Sequence, residues 1–194
     1  MPSEISIEAT DKTTLGTLLL TLSEGVFLAM LTFAYFFFQG QKPQVGPTAA
    51  GSLEPVWTGI FSAPLWATTY TSWRAMLNMR ARSVDTAKRW SWLTVLLAFV
   101  FLCGQGKEWS DLADKRITIE SGLFGTTYFM VTGFHDLHVF MGMVVSMIVL
   151  YVIARHGAGE GQIHAVTALW VYWTFMASFW VVIYTVVYLW SAVS

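Results

Sequence analysis

Long stretches without formal charge dominate this sequence and restrict what it can fold into. Residues 162–194 contain no Asp, Glu, Lys or Arg, and residues 121–154 contain only Asp136. Over the whole chain 55% of residues are hydrophobic and 12% are charged, whereas soluble domains carry roughly 25% charged residues. Because a bilayer-crossing helix needs about 20 apolar residues, the stretches predict an all-α, polytopic transmembrane helical bundle. They exclude a soluble globular domain and a disordered chain.

The apolar stretches divide the chain into five predicted spans. Turn-forming or charged segments separate them: a Gly- and Pro-rich loop at 39–55, a basic link at 80–89, a charged loop at 107–120 and a Gly-rich turn at 155–161. The predicted spans are residues 13–38, 56–79, 90–106, 121–154 and 162–194. Residues 1–12 lack the basic region and cleavage site of a secretory signal. We predict that they form a short cytoplasmic tail or an amphipathic stub before one transmembrane domain, residues 13–194.

The distribution of Lys and Arg predicts the orientation of the spans. Five spans place the N-terminus and the second and fourth connections on one side, which carries seven of the eleven basic residues. The excess of positive charge favours the cytoplasm, so the N-terminus is expected inside and the C-terminus outside. Arg74, Arg80 and Arg82 are then expected to face anionic headgroups. The net charge of −1 gives no reason to expect a nucleic-acid partner.

Glu24 is the one charged residue inside the first predicted span. A carboxyl group in hydrocarbon is held in its protonated form unless a cation or water reaches it. At helical spacing Glu24 shares a face with Thr21 and Thr32, and this stripe should face protein because lipid offers no hydrogen bonds. Two interpretations remain open: a carboxyl that handles protons or contacts a lipid headgroup, and a neutral Glu that donates one structural hydrogen bond.

Span 4 carries the second group of polar residues. His135 and His138 lie on one helix face, whereas Asp136 is turned about 100° from His135. Two histidines are a weak metal signal because a site would need further ligands, so hydrogen bonds between helices are the favoured interpretation. The single cysteine, Cys103, excludes an intramolecular disulfide and is expected to be a buried, inert thiol. No nucleophile–base pair or cofactor motif is present, so no catalytic residue and no metal ligand is predicted.

Several segments together resemble subunit III of the haem–copper cytochrome oxidases. They are Ser-Glu-Gly-Val-Phe-Leu-Ala (23–29), Gln-Gly-Lys-Glu-Trp (105–109), Ser-Gly-Leu-Phe-Gly-Thr-Thr-Tyr-Phe (121–129), Thr-Gly-Phe-His-Asp-Leu-His-Val (132–139) and Tyr-Trp-Thr-Phe (172–175), followed by Trp180 and Tyr184. Their order and spacing match the family from residue 23 to the C-terminus. The chain is similar to the five-helix form, which lacks the two N-terminal helices of longer members.

The resemblance implies an accessory subunit that carries no haem or copper itself. Members of the family pack mainly against the catalytic subunit I. Subunit II and small subunits are further expected partners, and haem and copper reside in the partner subunits. They bind phospholipid and support proton uptake. The family's buried acid corresponds to Glu24, and its paired histidines correspond to His135 and His138. Its Gln-x-x-Glu pair corresponds to Gln105 and Glu108, expected to contact other helices or subunits.

Two departures from the family pattern are expected to matter. Asp136 stands where the family often has Gly, and Thr174 and Ala177 stand where the last span often has His and Asp. We expect Asp136 to contact a helix or a subunit and to restore some of the lost polarity.

The function implied by the resemblance is that of subunit III in a proton-pumping oxidase, located in a bacterial cell membrane. The complex would oxidise cytochrome c and reduce O₂ to water. Enzymatic activity would belong to the complex and not to this chain. The alternatives are a subunit of a quinol oxidase, a homologue associated with a nitric oxide reductase, and a small stand-alone membrane transporter.

Overall fold

A computed structural model describes residues 4–40 and 52–190, with side chains from residue 15 onward. These residues form five long helices joined by short connections. The helices are α1 (Glu4–Gln39), α2 (Pro55–Arg80), α3 (Val84–Asp114), α4 (Leu123–His156) and α5 (Glu160–Tyr184), and α5 continues into a π-helical segment, Thr185–Trp190. The structure confirms an all-helical membrane bundle over the part of the chain that it describes.

Local sequence explains several helix ends. Pro55 begins α2, where its fixed φ suits the first turn and its missing N–H costs nothing. Helix α4 ends at His156, with Arg155 and His156 in its last turn. Positive charge is stabilising there because the C-terminal end of the helix dipole is negative. Gly157 follows with φ 71°, a left-handed conformation that glycine adopts without strain.

The sequence-based boundaries of span 3 are wrong. It was expected to cover residues 90–106, with a basic link before it and a charged loop after it. In the structure the link is reduced to residues 81–83, and α3 continues through the charged residues to Asp114. The reason is that residues 107–114 contain no Pro or Gly, and Lys107 and Asp111 form an i,i+4 ion pair of 2.6 Å along the helix.

The other predicted boundaries within the described residues differ by one or two residues, except for the start of the first span. Helix α1 begins at Glu4, inside the segment expected to be a tail, and α2 runs unbroken through Pro64. Residues 41–51 of the predicted first loop and residues 191–194 of the fifth predicted span lie outside the described residues.

The helices enclose an aromatic-rich core. Helices α2 and α3 pack closely together, α5 packs on α2 and α4, and α1 packs on α4, α5 and the π segment. The largest fully buried side chains are Trp173, Trp180, Tyr35, Tyr128, Tyr188 and Phe101. Interhelical side-chain hydrogen bonds cross the interior. Among them are Trp180 Nε1 to Ser62 Oγ (2.7 Å), Trp173 Nε1 to Ser146 Oγ (3.1 Å), and a 2.8 Å bond between the hydroxyls of Thr71 and Thr94.

Four segments are long and apolar enough to cross a membrane. They are Leu15–Gln39, Val84–Asp114, Leu123–His156 and Glu160–Trp190. Helix α2 is less apolar because its 26 residues include two Arg and six Ser or Thr. The chain is therefore an integral membrane protein with at least these four candidate spans.

Candidate functional site

Glu24 of α1 is paired with a base from α4. Its Oε2 lies 2.5 Å from Nε2 of His138, and the two side chains are 25% and 18% exposed. Tyr172 of α5 completes the arrangement by donating its hydroxyl to the His138 carbonyl at 2.8 Å. We call these three residues the Glu24 site. It joins α1, α4 and α5 at the side of the bundle.

The hydrogen bond of His138 to a backbone carbonyl places a proton on its Nδ1. Its Nδ1 lies 2.5 Å from the carbonyl oxygen of Phe134, and because a carbonyl only accepts, Nδ1 must carry a proton. Nε2 therefore either accepts a proton from the neutral Glu24 carboxyl or, as part of an imidazolium, donates one to the carboxylate. Glu24 and His138 can therefore form a hydrogen bond with the proton on either partner.

Small and aromatic residues determine how closely α1 approaches its neighbours. A Cβ on Gly25 would lie 3.3 Å from the ring of Phe175 in α5, so glycine allows close approach of the two helices beside Glu24. Phe27 and Phe134 pack edge to face with ring centroids 5.0 Å apart. The geometry therefore holds Glu24 against α4 and α5, and the expectation that it faces protein agrees with this contact.

His135 does not join His138 at the Glu24 site. It is fully buried, its Nε2 lies 3.2 Å from the carbonyl oxygen of Met176 in α5, and its ring packs on Trp180 with centroids 4.8 Å apart. Its Nδ1 lies 3.7 Å from Oδ1 of Asp136, beyond hydrogen-bond distance. The two histidines therefore contact different helices: His138 contacts α1, and His135 contacts α5.

Glu108 is the centre of a second polar group, which we call the Glu108 cluster. Its Oε1 accepts a hydrogen bond from Thr58 of α2 at 3.0 Å, and its Oε2 accepts one from Tyr188 of the π segment at 3.0 Å. The Tyr188 hydroxyl also lies 3.1 Å from that of Tyr128 in α4. Three elements of the bundle therefore meet at one carboxyl, and α4 joins them through Tyr188.

A cavity of about 560 Å³ adjoins the Glu108 cluster between α2 and α3. Gln105 and Glu108 both line it, together with the exposed ion pair of Lys107 and Asp111. Lys115 donates to the Ser52 carbonyl at 3.0 Å on the same rim. The Gln105–Glu108 pair thus lies at the edge of a polar cavity.

The three arginines expected to face headgroups gather near the connection of α2 to α3. Arg74 lies 5.3 Å from the centroid of the Trp90 ring, and Arg80 is exposed. Arg82, also exposed, donates to the carbonyl of Ala158 at 2.6 Å and so links this connection to the one between α4 and α5.

Sequence reasoning missed the hydroxyl groups that hold the two acids. Thr58 and Tyr188 are absent from the predicted sites, Tyr128 and Tyr172 appear only within the family segments, and Glu108 is predicted to lie in a loop. The expectation that Cys103 is buried is wrong, because this residue is exposed on α3. The absence of a helix breaker between Gly106 and Asp114 was the available signal for a longer α3. Within the described residues no group of three or more His, Cys, Asp or Glu side chains could hold a metal ion.

Comparison with known proteins gives one consistent result. Residues 5–192 match the family described as "Cytochrome c oxidase subunit III". "Cytochrome c oxidase subunit 3" of Corynebacterium diphtheriae is 27% identical over 175 residues, which cover 89% of this chain and 85% of that protein. The protein of the same name from Thermostichus vulcanus is 27% identical over 183 residues, 94% of this chain and 89% of its own length. "Probable cytochrome c oxidase subunit 3" of Nocardia farcinica is 26% identical over 183 residues, with 94% and 90% covered.

Proposed function

Because the chain belongs to the cytochrome c oxidase subunit III family, we propose that it is the accessory, non-redox subunit of a respiratory terminal oxidase. The complex oxidises cytochrome c, reduces O₂ to water and pumps protons, while haem and copper reside in its partner subunits. This chain contributes no catalytic residue and no metal ligand. It stabilises subunit I and supports proton uptake through the Glu24 site.

We further propose that α2 is a fifth span. Its 26 residues rise about 39 Å as an α-helix, enough to cross a hydrocarbon core of about 30 Å. Its length and its close packing on α3 and α5 support this assignment. Five crossings put the N-terminus in the cytoplasm of a bacterial cell and the C-terminus outside. Arg74, Arg80 and Arg82 then meet anionic headgroups at the cytoplasmic surface.

The contact with subunit I is proposed to use the outer face of α1. A continuous apolar stripe on that face is more than one-third exposed and repeats at helical spacing. The stripe consists of Leu15, Leu19, Leu22, Val26, Met30, Phe33 and Phe37. Subunit II, small subunits and phospholipid cover other exposed faces of the bundle in this proposal.

The single observation that carries the functional role is the contact of Glu24 with His138. An acid inside a membrane helix is a candidate functional residue because its charge is costly there. Here the acid faces a base that shares its proton, and one-quarter of its side chain remains accessible at the bundle surface. This geometry suits a group that exchanges a proton or contacts a lipid amine or phosphate.

The test replaces the acid by an amide in the intact oxidase complex. Glu24→Gln keeps a hydrogen-bonding group next to His138, so the complex is expected to assemble with its normal haem spectrum. Activity during sustained turnover in lipid vesicles is expected to decline faster than in the wild type, because the pair no longer exchanges a proton. His138→Gln should produce the same decline.

The matched control is Glu160→Gln, which removes an exposed acid from the first turn of α5. It should behave like the wild type. If Glu24→Gln sustains turnover as long as the control does, Glu24 has only a structural role. If the chain purifies without a haem-containing partner, the oxidase assignment itself is wrong.

A further inference from the structure

The interface between α3 and α4 contains buried polar atoms that belong neither to the Glu24 site nor to the Glu108 cluster. Gln105 is 2% exposed and His135 is fully buried. Among the residues that the structure describes, no group hydrogen-bonds either amide atom of Gln105, Nε1 of Trp109, Nδ1 of His135 or Oδ1 of Asp136. Buried polar atoms in native proteins nearly always have partners, and ordered water takes this role where protein groups do not.

The packing of α3 on α4 brings these atoms together. The rings of Phe101 and His135 have centroids 6.1 Å apart, and those of Trp109 and Phe129 are 5.6 Å apart. Gln105 lies one turn from Phe101 and one turn from Trp109, on the same face of α3. It therefore lies on the face of α3 that packs against α4, between these two contacts.

The hydrogen bonds of the His135 ring explain why a water molecule is needed between His135 and Asp136. Its Nε2 must donate to the Met176 carbonyl, which can only accept. In a neutral imidazole Nδ1 is then an acceptor, and it lies 3.7 Å from an oxygen of Asp136. This distance is too long for a direct hydrogen bond, so each of the two buried atoms needs a partner that a water molecule can supply.

The same region borders the cavity between α2 and α3. Gln105 and Glu108 line that cavity, and the Glu108 and Asp136 carboxyls lie close enough to interact electrostatically. The cavity has a volume of about 560 Å³, and a single water needs only roughly 10–15 Å³ of such space.

We propose that Gln105, Trp109, His135 and Asp136 hold a small cluster of ordered waters between α3 and α4, and that this water site is continuous with the cavity between α2 and α3. The site gives the His135–Asp136 pair a route for proton exchange with solvent. A proton passes from the pair along the waters to the cavity and is replaced by the reverse path, with no electron transfer. The route is separate from the Glu24 site, so the two proposals can fail independently.

The first test is direct observation of the waters. A cryo-electron microscopy map of the native oxidase, at a resolution that shows ordered water, should contain density within hydrogen-bond distance of Gln105 Nε2 and His135 Nδ1. Density that continues to the cavity beside Glu108 supports the route. A dry, closely packed interface at these atoms overturns the proposal.

The second test measures whether Gln105 and Asp136 act on each other without direct contact. Gln105→Leu and Asp136→Leu should each lower the temperature at which this chain dissociates from the complex by about 2–4 °C. The double variant should lower it by clearly less than the sum, because both variants remove the same waters. If Asp136→Leu prevents assembly, Asp136→Asn replaces it.

The control pairs Gln105→Leu with Ser146→Ala, which removes the distant hydrogen bond to Trp173. Those two shifts should add. In a dry site Gln105→Leu would remove an orphaned amide and raise the dissociation temperature. That rise, or additive shifts of Gln105→Leu and Asp136→Leu, would refute the water site.

Discussion

Glu24 and Glu108 are both acids inside membrane helices, and they differ in what holds them. Glu24 contacts a base, His138, at the side of the bundle. Glu108 accepts hydrogen bonds from the hydroxyls of Thr58 and Tyr188. An imidazole takes up a proton near neutral pH, whereas these hydroxyls do not. Burial of an acid therefore does not by itself define its role, because two acids in membrane helices can have partners of different chemistry.

The position of each acid strengthens this contrast. The Glu24 site joins α1, which packs only on α4, α5 and the π segment among its principal contacts. The Glu108 cluster joins α2, α3, α4 and the π segment through three hydrogen bonds. Variants of Glu108 should therefore affect mainly folding and assembly, and variants of Glu24 should affect mainly turnover.

Glu108→Leu is expected to have the largest effect on stability. It removes the acceptor of two hydrogen bonds that join three elements of the bundle, which should cost about 2–4 kcal/mol. Thermal dissociation of this chain from the purified complex measures the loss. The matched variant Glu24→Leu should cost less than half as much, since its site involves one such contact and is partly exposed. Equal losses in the two variants would remove the distinction between the sites.

Tyr188→Phe is expected to have an intermediate effect. It removes the donor to Glu108 and the contact with Tyr128 while keeping the buried ring, so the loss should be about 1–2 kcal/mol. Tyr184→Phe is the matched control, because its hydroxyl donates at 2.8 Å to the carbonyl of Pro55 outside the cluster. The same thermal dissociation should rank Tyr188→Phe as the more damaging variant. The reverse ranking would show that Glu108 is not the centre of the cluster.

Much of the fold was predictable because hydrocarbon imposes a simple rule on the chain. Every long apolar stretch became a helix, and the boundaries of α2 and α4 fell within two residues of those expected. The predicted end of span 3 is wrong because a run of charged residues does not by itself end a helix. Lys107 and Asp111 are charged and yet helical, since an ion pair along the helix surface suits both residues.

The candidate sites were only half predictable. Glu24, His135, His138, Gln105 and Glu108 stood out by charge, polarity or family resemblance. Their partners did not, because the contact between Glu24 and His138 depends on how α1 packs against α4. Similarly, nothing in the spacing shows that Thr58 and Tyr188, 130 residues apart in number, meet at one carboxyl. Such pairs are set by tertiary packing and not by local sequence.

The smallest expected effect belongs to Lys107→Gln, next to Glu108 in the chain. Lys107 and Asp111 are 66% and 53% exposed, and exposed ion pairs contribute little because solvent already stabilises both charges. The thermal dissociation of this variant should match that of the wild type. The result would show that loss in Glu108→Leu comes from buried hydrogen bonds and not from any change of charge on this turn of α3. A loss as large as that of Glu108→Leu would instead assign the stabilisation to the charges around the cavity.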